Sequence, residues 1–192
     1  MGFGSFLPYF CAMASESGAV TVRQARPEDV GRLQAIQLAA GNSFRDIGMS
    51  AAADTFPLPA ESLSGYRRAG RAWVAADEHD EPVGFVVADV VDGCAHIEQV
   101  SVHPAHAGQR IGAMLLDYVA DWAAEQGMHA MTLITFRGVP WNAPYYERLG
   151  FRELAESEVT SGLAARNKDQ GGNSAARVCM LRELPPANDT NN

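Results

Sequence analysis

Long hydrophobic runs are missing from this sequence. Although 47% of its 192 residues are apolar, it has no unbroken apolar stretch of about eighteen residues, which a membrane-spanning helix needs, so we expect no membrane partner. Runs of Lys and Arg are also missing and the net charge is −8, so we expect no nucleic-acid partner. The acidity would favour a cationic substrate such as an amine, but many proteins are acidic for solubility alone.

Cysteine is scarce, and the three that occur, Cys11, Cys94 and Cys179, share no metal-ligand or redox spacing. An odd, scattered set is typical of reduced thiols, so we expect a cytoplasmic protein without a metal site. The sequence also lacks a G-x-G-x-x-G motif and a P-loop lysine, which argues against a dinucleotide enzyme.

The ends of the chain differ in composition from its middle. The first eighteen residues are apolar and then small and polar, without the basic start of a signal peptide, and Phe6 breaks the myristoylation pattern. We expect residues 1–18 to be disordered or a spurious extension, with initiation at Met13. We expect residues 19–185 to form one domain and residues 186–192 a disordered tail.

The most informative stretch is an alternating run at residues 97–102, followed by a loop of small residues and then a helical pattern. Apolar residues recur at helical spacing from Ile111, Ala113 falls on the opposite face, which is expected to meet solvent, and Gly127 stands where a helix C-terminal glycine belongs. The free N–H groups and the dipole of such a helix favour a phosphate in the loop, where Arg110 would add a positive charge. The alternative is a tight turn that binds nothing.

Pro27 opens a predicted helix that runs to about Asn42, and short strand patterns make up most of the remaining chain. Residues 83–91 are almost wholly apolar, as expected of a strand covered on both faces. Asp92 and Gly93 predict a hairpin that makes the next strand antiparallel. Residues 162–174 are polar, glycine-rich and aperiodic, so we expect a mobile loop there. With one helix between the fourth and fifth strands, the pattern predicts a mixed α/β sheet.

Two segments carry a resemblance to a known family. The loop reads Ala107-Gly108-Gln109-Arg110-Ile111-Gly112 after a strand ending in VSVHP. The segment WNAPYYERLGF supplies Asn142, Tyr146, Gly150 and Phe151 in order. Together they resemble the GNAT N-acetyltransferases, whose acetyl-CoA loop has Arg or Gln, two free positions, Gly, one free position, then Gly or Ala. The final glycine matches, whereas Ala107 and Arg110 depart from the pattern.

The resemblance covers about residues 20–184 and implies both a fold and an activity. The fold would be α/β, with a mixed, mostly antiparallel central sheet and helices on both faces. The activity would be direct transfer of the acetyl group of acetyl-CoA to a primary amine of a small molecule, peptide or protein in a ternary complex. The departures in the loop leave a non-catalytic acyl-CoA-binding sensor or partner module as the alternative. Dimers are common among proteins that resemble this one, so a homodimer is a further expectation.

The cofactor contacts that the resemblance implies lie on the strand, the loop and the second segment. In the family the fourth strand splays from the fifth, and the pantetheine arm lies in the gap. The backbone of Val100, Ser101 and Val102 would hold the arm and polarise the thioester carbonyl. Asn142 matches a cofactor-contacting residue, although an Asn there would also suit a helix N-cap. The implied loop contacts are Ala107, Gly108, Gln109, Arg110, Ile111 and Gly112.

Transfer to an amine requires a base, because a lysine-like amine of pKa near 10.4 costs roughly 4.6 kcal/mol to deprotonate at pH 7. Glu98 and His96 are the candidates, directly or through a water. Strand alternation predicts that both share a face with Val100 and Val102. The alternative is that both are solvated residues of a sheet face.

The leaving thiolate is helped by an acid. Tyr146 matches the family's tyrosine that protonates the CoA sulfur, although core packing is the alternative role for an aromatic residue here. Tyr145, one position earlier on a helix, is expected to point elsewhere.

The acceptor site is indicated by location only. The residues that lie where family members bind the acceptor are Phe44, Arg45, Asp46 and Phe56, and Arg137 and Trp141 follow the fifth strand near the same mouth. The sequence does not identify the amine.

Overall fold

The computed structural model describes residues 19–46, 48, 57–169 and 177–185, apart from the side chains of Ser43 and Asp46. The expectations for residues 1–18 and 186–192 concern residues outside these ranges. The helices and strands in chain order are β1 (Thr21–Gln24), α1 (Val30–Asp46), α2 (Ala60–Arg68), β2 (Ala72–Ala76), β3 (Pro82–Val91), β4 (Cys94–Val102), α3 (Ile111–Glu125), β5 (Ala130–Phe136), α4 (Ala143–Glu147), β6 (Arg152–Glu153), α5 (Ser161–Asp169) and β7 (Arg177–Glu183).

The described strands form one sheet in the order β1-β2-β3-β4-β5-β7-β6. Neighbouring strands are antiparallel except β4 and β5, which run parallel because α3 crosses between them. The hairpin predicted at Asp92 and Gly93 is present, with φ values of 50° and 79° at the two residues. Both values fit a turn whose twist matches that of the flanking strands.

Helices cover both faces of the sheet, which confirms the predicted fold class. The apolar face of α3 packs against β2, β3, β4, β5 and β7 in the larger core cluster, which includes Trp73, Leu115 and Met131. Apolar residues of α1 and α2 pack against the opposite face of β2 and β3 around Phe85. None of the helices that the structure describes is both long and apolar enough to cross a membrane.

An extra residue in β4 changes the direction of its side chains. Val87 of β3 lies opposite Gln99, but the next residue, Ala88, lies opposite Ile97, so Glu98 has no residue of its own across the ladder. This is a β-bulge, which interrupts the alternation of faces and increases the local twist. The alternation of side chains between the two faces of the sheet therefore shifts by one residue at Glu98.

The prediction that four β4 residues share one face is wrong for this reason. His96 and Glu98 lie together, and Glu98 pairs with Arg166. Val100 and Val102 instead pack against the larger core cluster beneath α3. A single inserted residue is enough to exchange the faces, because side chains alternate with a period of two.

The predicted mobile loop at residues 162–174 is also wrong where the structure describes it. Helix α5 occupies its first part, with Leu163 buried against β7. The carboxylate of Asp92, in the β3–β4 hairpin, accepts a hydrogen bond of 3.0 Å from the N–H of Gly162 at the start of this helix. Residues 170–174 lie outside the described residues.

Two smaller differences concern the helices. Ala113, predicted on the solvent face of α3, is buried, because the helix contacts β1 to β5 and so covers more than one narrow stripe. Helix α1 continues past its predicted end near Asn42 to Asp46 and brings Phe44 onto a regular helical face.

Candidate active site

A cavity of about 510 Å³ opens where β4 and β5 separate. The parallel pairing of the two strands covers only Ala95 to Ile97 opposite Met131 to Leu133. Beyond these residues β4 stays paired with β3 through Val102 but no longer pairs with β5. The backbone edge of Val100 to Val102 therefore faces the gap, and Val100, Ser101 and Val102 line the cavity.

One end of the cavity is the loop before α3. Ala107, Gly108, Arg110, Ile111 and Gly112 line it. Arg110 has φ 60° and ψ 14° at the helix N-cap, and Gly108 has φ 79°. Since the N–H of Met114 is the one that bonds back to Arg110 O, the earlier N–H groups of α3 point into the loop and favour an anion.

Not every predicted loop residue meets the same cavity. Gln109 is exposed and lines a second, shallower cavity of about 450 Å³ on the outer side of α3, which Arg110 also borders. The left-handed backbone at Arg110 turns the chain sharply into the helix, so Arg110 borders both cavities.

Tyr145 reaches the loop from α4. A Cβ atom placed on Gly112 would lie 2.7 Å from the Tyr145 hydroxyl, so glycine at this position makes room for the tyrosine. The prediction that Tyr145 points away from the site is wrong, because α4 lies across the mouth of the cavity and presents both Tyr145 and Tyr146 to it.

Tyr146 is enclosed between the cavity and the core. Its ring stacks edge-to-face with Phe151 at a centroid distance of 5.8 Å. Burial, and secondarily the neighbouring Tyr145, raises the pKa of the Tyr146 hydroxyl well above its ordinary value. The hydroxyl is therefore protonated at neutral pH, as a proton donor must be.

Asn142 precedes α4 and borders the same cavity. Its backbone oxygen accepts from the N–H groups of Tyr145 and Tyr146, at 2.8 and 3.0 Å. Its side chain makes no capping hydrogen bond. The alternative role of side-chain N-cap is therefore not used.

Glu98 is the described carboxylate that lines the cavity, and its side chain is 13% exposed. Arg166 of α5 donates from Nη1 to Oε2 of Glu98 at 3.0 Å. His96 lies behind Glu98, with 4.0 Å between His96 Nε2 and Glu98 Oε2. The bulge thus places a carboxylate at the gap and a histidine beneath it.

His96 itself is fully buried and pairs through Nδ1 with the hydroxyl of Thr132 at 2.9 Å. Burial, then the cation of Arg166, lowers the pKa of His96 to about 4. The imidazole is neutral at pH 7 and does not border the cavity. Of the two predicted bases, Glu98 alone borders the cavity.

Sequence reasoning missed the charged residues that hold Glu98. Arg166 also bonds to Asp89 of β3, and Arg71 pairs with the same carboxylate. Burial opposes the charge on Asp89, but hydrogen bonds from the Val90 N–H and from Arg166 outweigh it and lower its pKa. These residues come from three distant segments, and the aperiodic segment around Arg166 offered little signal that it forms a helix.

The opposite end of the cavity is lined by one stripe of α1. Gln37, Ala40, Gly41 and Phe44 follow helical spacing and all border the cavity. Gln37 was not predicted as a site residue. A signal was available in the sequence. Gln37 lies one helical turn before Ala40 and Gly41, and the same helix leads to Phe44, a residue expected near the acceptor.

Aromatic rings close this end. The ring of Phe44 lies 5.9 Å from that of Phe136 and 6.0 Å from that of Trp141, measured between centroids. All three border the cavity, and the Trp141 side chain is 40% exposed. The predicted location of Phe44 and Trp141 at the mouth agrees with this arrangement.

The remaining residues suggested by location make other contacts. Arg137 forms an ion pair with Glu153 of β6. Arg45 donates a hydrogen bond of 2.8 Å to Asn42 on its own helix. The side chain of Asp46 and the whole of Phe56 lie outside the described residues. Within those residues no group of three or more His, Cys, Asp or Glu side chains is arranged to hold a metal ion.

Comparison with known proteins gives a consistent result. A family model described as "Acetyltransferase (GNAT) family" matches residues 42–151, which is more than half of the chain. The chain is also similar to the peptidyl-lysine N-acetyltransferase YjaB of Salmonella typhimurium, with 27% identity over 148 residues that cover 73% of this chain and 88% of that protein.

Solved structures share the fold. A GNAT-family acetyltransferase from Staphylococcus aureus Mu50 has a TM-score of 0.67 and 19% identity, covering 87% of this chain and all of that one. Rv2747 from Mycobacterium tuberculosis, solved in a complex that includes CoA, has a TM-score of 0.64 and 20% identity, covering 86% and 99% of the two chains. At these identities the likeness establishes the architecture alone.

Proposed function

We propose that this chain, which belongs to the GNAT family and is an N-acetyltransferase, transfers the acetyl group of acetyl-CoA directly to a primary amine in a ternary complex. The observation that carries this proposal is one cavity bordered by an anion-favouring helix start, by Tyr146 and by Glu98. These are the three chemical groups that the reaction needs.

Binding of the donor is assigned to the loop and the open strand edge. The N–H groups at the start of α3 and the guanidinium of Arg110 attract the diphosphate. The backbone of Val100, Ser101 and Val102 holds the pantetheine arm and polarises the thioester carbonyl, an effect that mutagenesis elsewhere values at about 3 kcal/mol per donor. The side-chain amide of Asn142 supplies a further polar contact.

Two protein groups transfer the protons that the reaction requires. The amine nitrogen attacks the thioester carbonyl carbon, so that a C–N bond forms and the C–S bond breaks. Glu98 accepts the proton that the amine loses, directly or through one water. Tyr146 gives its proton to the departing sulfur. The neutral His96 lies 4.0 Å behind Glu98 and does not touch the substrate.

A relative supports amine acetylation but not one particular acceptor. The similar Salmonella protein is named a peptidyl-lysine N-acetyltransferase. A small-molecule amine and a peptide or protein amine therefore both remain within the proposal. A non-catalytic acyl-CoA-binding module is the second candidate, favoured only by the departure of Ala107 and Arg110 from the family loop.

Two measurements on the full chain test the proposal. Calorimetric titration with acetyl-CoA should give binding, and a panel of primary amines should give acetyl-CoA-dependent release of free thiol above the hydrolysis rate. Binding without turnover of any amine would favour the non-catalytic module. Absence of binding heat at millimolar acetyl-CoA would contradict both candidates.

A further inference from the structure

The acceptor end of the cavity contains a hydrogen-bond donor without a partner. Gln37 is 1% exposed, and its Oε1 accepts the backbone N–H of Leu58 at 3.0 Å. That bond fixes which end of the amide carries the nitrogen. The Nε2 group is buried and has no hydrogen-bond partner among the described residues.

A buried NH₂ group without an acceptor is costly, and native structures rarely keep one without a reason. Gln37 lies on the stripe of α1 that lines the cavity, one turn from Ala40 and Gly41, whose small side chains leave space above β4. A bound molecule with an accepting oxygen at this place would satisfy the donor. The orphaned group therefore indicates part of the acceptor's chemistry.

The aromatic rings beside Gln37 indicate another part of the acceptor's chemistry. Phe44, Phe136 and Trp141 form a contiguous aromatic wall at the same end of the cavity, with centroid distances of 5.9 and 6.0 Å. Trp141 is among the few large apolar side chains that the described surface leaves exposed. Such a wall favours a flat or bulky apolar group, which gains contact area and offset or edge-to-face stacking.

The charged residues at this end of the cavity limit which classes of amine the acceptor can belong to. Among the described residues that line the cavity, Glu98 carries the only carboxylate, and it already pairs with Arg166. A polyamine would bring several cations that must lose water, with a single carboxylate to receive them. One amine near Glu98 is compatible with this balance, whereas several are not.

We infer that the acceptor is a primary amine carrying an aromatic or bulky apolar group and, close to the nitrogen, an oxygen that accepts a hydrogen bond from Gln37. This inference rests on the proposed acetyl transfer and narrows its acceptor. An α-amine beside a carbonyl, with an aromatic side chain, contains all three features. The ring lies on the wall of Phe44, Phe136 and Trp141, and the amine lies toward Glu98.

The test uses four amines that separate the two features. Phenylalaninamide has the ring and the carbonyl, phenethylamine only the ring, alaninamide only the carbonyl, and ethylamine neither. We expect kcat/KM to fall about tenfold or more for each feature removed. Spermidine and Nα-acetyl-lysine amide, the polyamine and lysine-type probes, should be used at least tenfold less efficiently than phenylalaninamide.

Variants assign each feature to its residue. Gln37→Glu keeps an oxygen for the Leu58 N–H but removes the donor, so it should slow phenylalaninamide and alaninamide about tenfold and leave phenethylamine within about twofold. Trp141→Ala should do the reverse and slow only the two ring-bearing amines. Leu38→Ala, on the exposed side of the same helix, is the matched control.

The outcomes distinguish this inference from the proposed function. Equal kcat/KM for phenylalaninamide and ethylamine, or a preference for spermidine or the lysine probe, would overturn the acceptor class while leaving acetyl transfer intact. A Gln37→Glu variant that slows all amines equally would show that Gln37 serves folding rather than recognition. Failure to bind acetyl-CoA at all would instead contradict the proposed function.

Discussion

Arg166 donates a hydrogen bond of 3.0 Å to Glu98, which lies 68 positions earlier in the chain. The same guanidinium bonds to Asp89, so it links the hairpin strands β3 and β4 to helix α5. The Tyr66 hydroxyl of α2 also bonds to it. The proposed base is thus held by a cation from a segment that the sequence alone indicated as a loop.

Removing the cation of Arg166 should impair turnover more than the binding of acetyl-CoA. We expect Arg166→Ala to lower kcat about tenfold with little change in the KM for acetyl-CoA, because Glu98 loses its orienting partner. Arg166→Lys should recover part of the loss, since it keeps the charge but not the planar fork. Steady-state kinetics with Arg152→Ala, an exposed arginine paired with Glu158, as control would check this. A loss in Arg166→Lys as large as in Arg166→Ala, with an unchanged melting temperature, would argue against an electrostatic positioning role.

The proposed acid gives a simpler prediction. Tyr146→Phe keeps the ring against Phe151 but removes the hydroxyl, so kcat should fall about 10²-fold while acetyl-CoA binding stays within about threefold. Thiol release and calorimetry measure the two quantities. Tyr118→Phe, on the outer side of α3, controls for loss of a tyrosine hydroxyl elsewhere. Full activity of Tyr146→Phe would remove Tyr146 from the mechanism.

The close approach of Tyr145 to Gly112 predicts a rescue. Gly112→Ala should destabilise the protein by about 1–3 kcal/mol, because the new methyl would lie 2.7 Å from the hydroxyl. In a Tyr145→Phe background the nearest ring carbon is 3.6 Å away, and alanine is the better helix former by about 1 kcal/mol. The double variant should therefore unfold at a denaturant midpoint equal to or above that of Tyr145→Phe. Additive losses would mean that the contact is not the cause.

Two substitutions of Arg110 separate the effect of its charge from the effect of its left-handed backbone conformation. Arg110→Gly and Arg110→Ala both remove the charge and should weaken CoA binding to a similar extent, about three- to tenfold at low salt and less at high salt. Only Ala keeps the unfavourable φ of 60°, so the Gly variant should be about 1 kcal/mol more stable than the Ala variant. Calorimetry at two salt concentrations and chemical unfolding measure these effects. Unchanged CoA affinity in both variants would contradict an anion site at this loop.

His96 predicts a dependence of stability on pH. Its pKa falls from about 6.5 in the unfolded chain to about 4 in the folded protein. The unfolded state therefore binds more protons between these values, so stability is full above about pH 6.5 and falls as the pH drops toward 4. The loss attributable to this residue is about 3 kcal/mol.

Replacing His96 should flatten that part of the curve. The free energy of unfolding of His96→Gln, measured between pH 4 and 8, should show a smaller acid loss than the parent. His79→Asn, at an exposed histidine, is the matched control and should keep the parent slope. Parallel curves for His96→Gln and the parent would contradict the burial of a neutral imidazole.

Much of the architecture was predictable because it follows from local patterns. The apolar run of β3, the turn at Asp92 and Gly93, and the helical spacing from Ile111 depend on neighbours in sequence, and each predicted element is present. The loop before α3, where we propose that the cofactor binds, could be located for the same reason, since a strand, a loop of small residues and a helix start are contiguous. Tyr146 could be placed because it belongs to a short contiguous motif.

Tertiary structure decided what depends on distant segments. The bulge at Glu98 exists in the pairing of β4 with β3, and no alternation within β4 could reveal it. Helix α5 forms where Leu163 packs against the apolar surface of β7 and where Asp92 accepts a hydrogen bond from the N–H of Gly162, because packing outweighs weak helix propensity. The Nε2 group of Gln37, which has no hydrogen-bond partner among the described residues, likewise meets the cavity only when α1 lies over the gap. The sequence by itself determined the order of most elements and the position of the loop before α3, since both are local, whereas the surroundings of Glu98 and of Gln37 arise from contacts that only the folded chain creates.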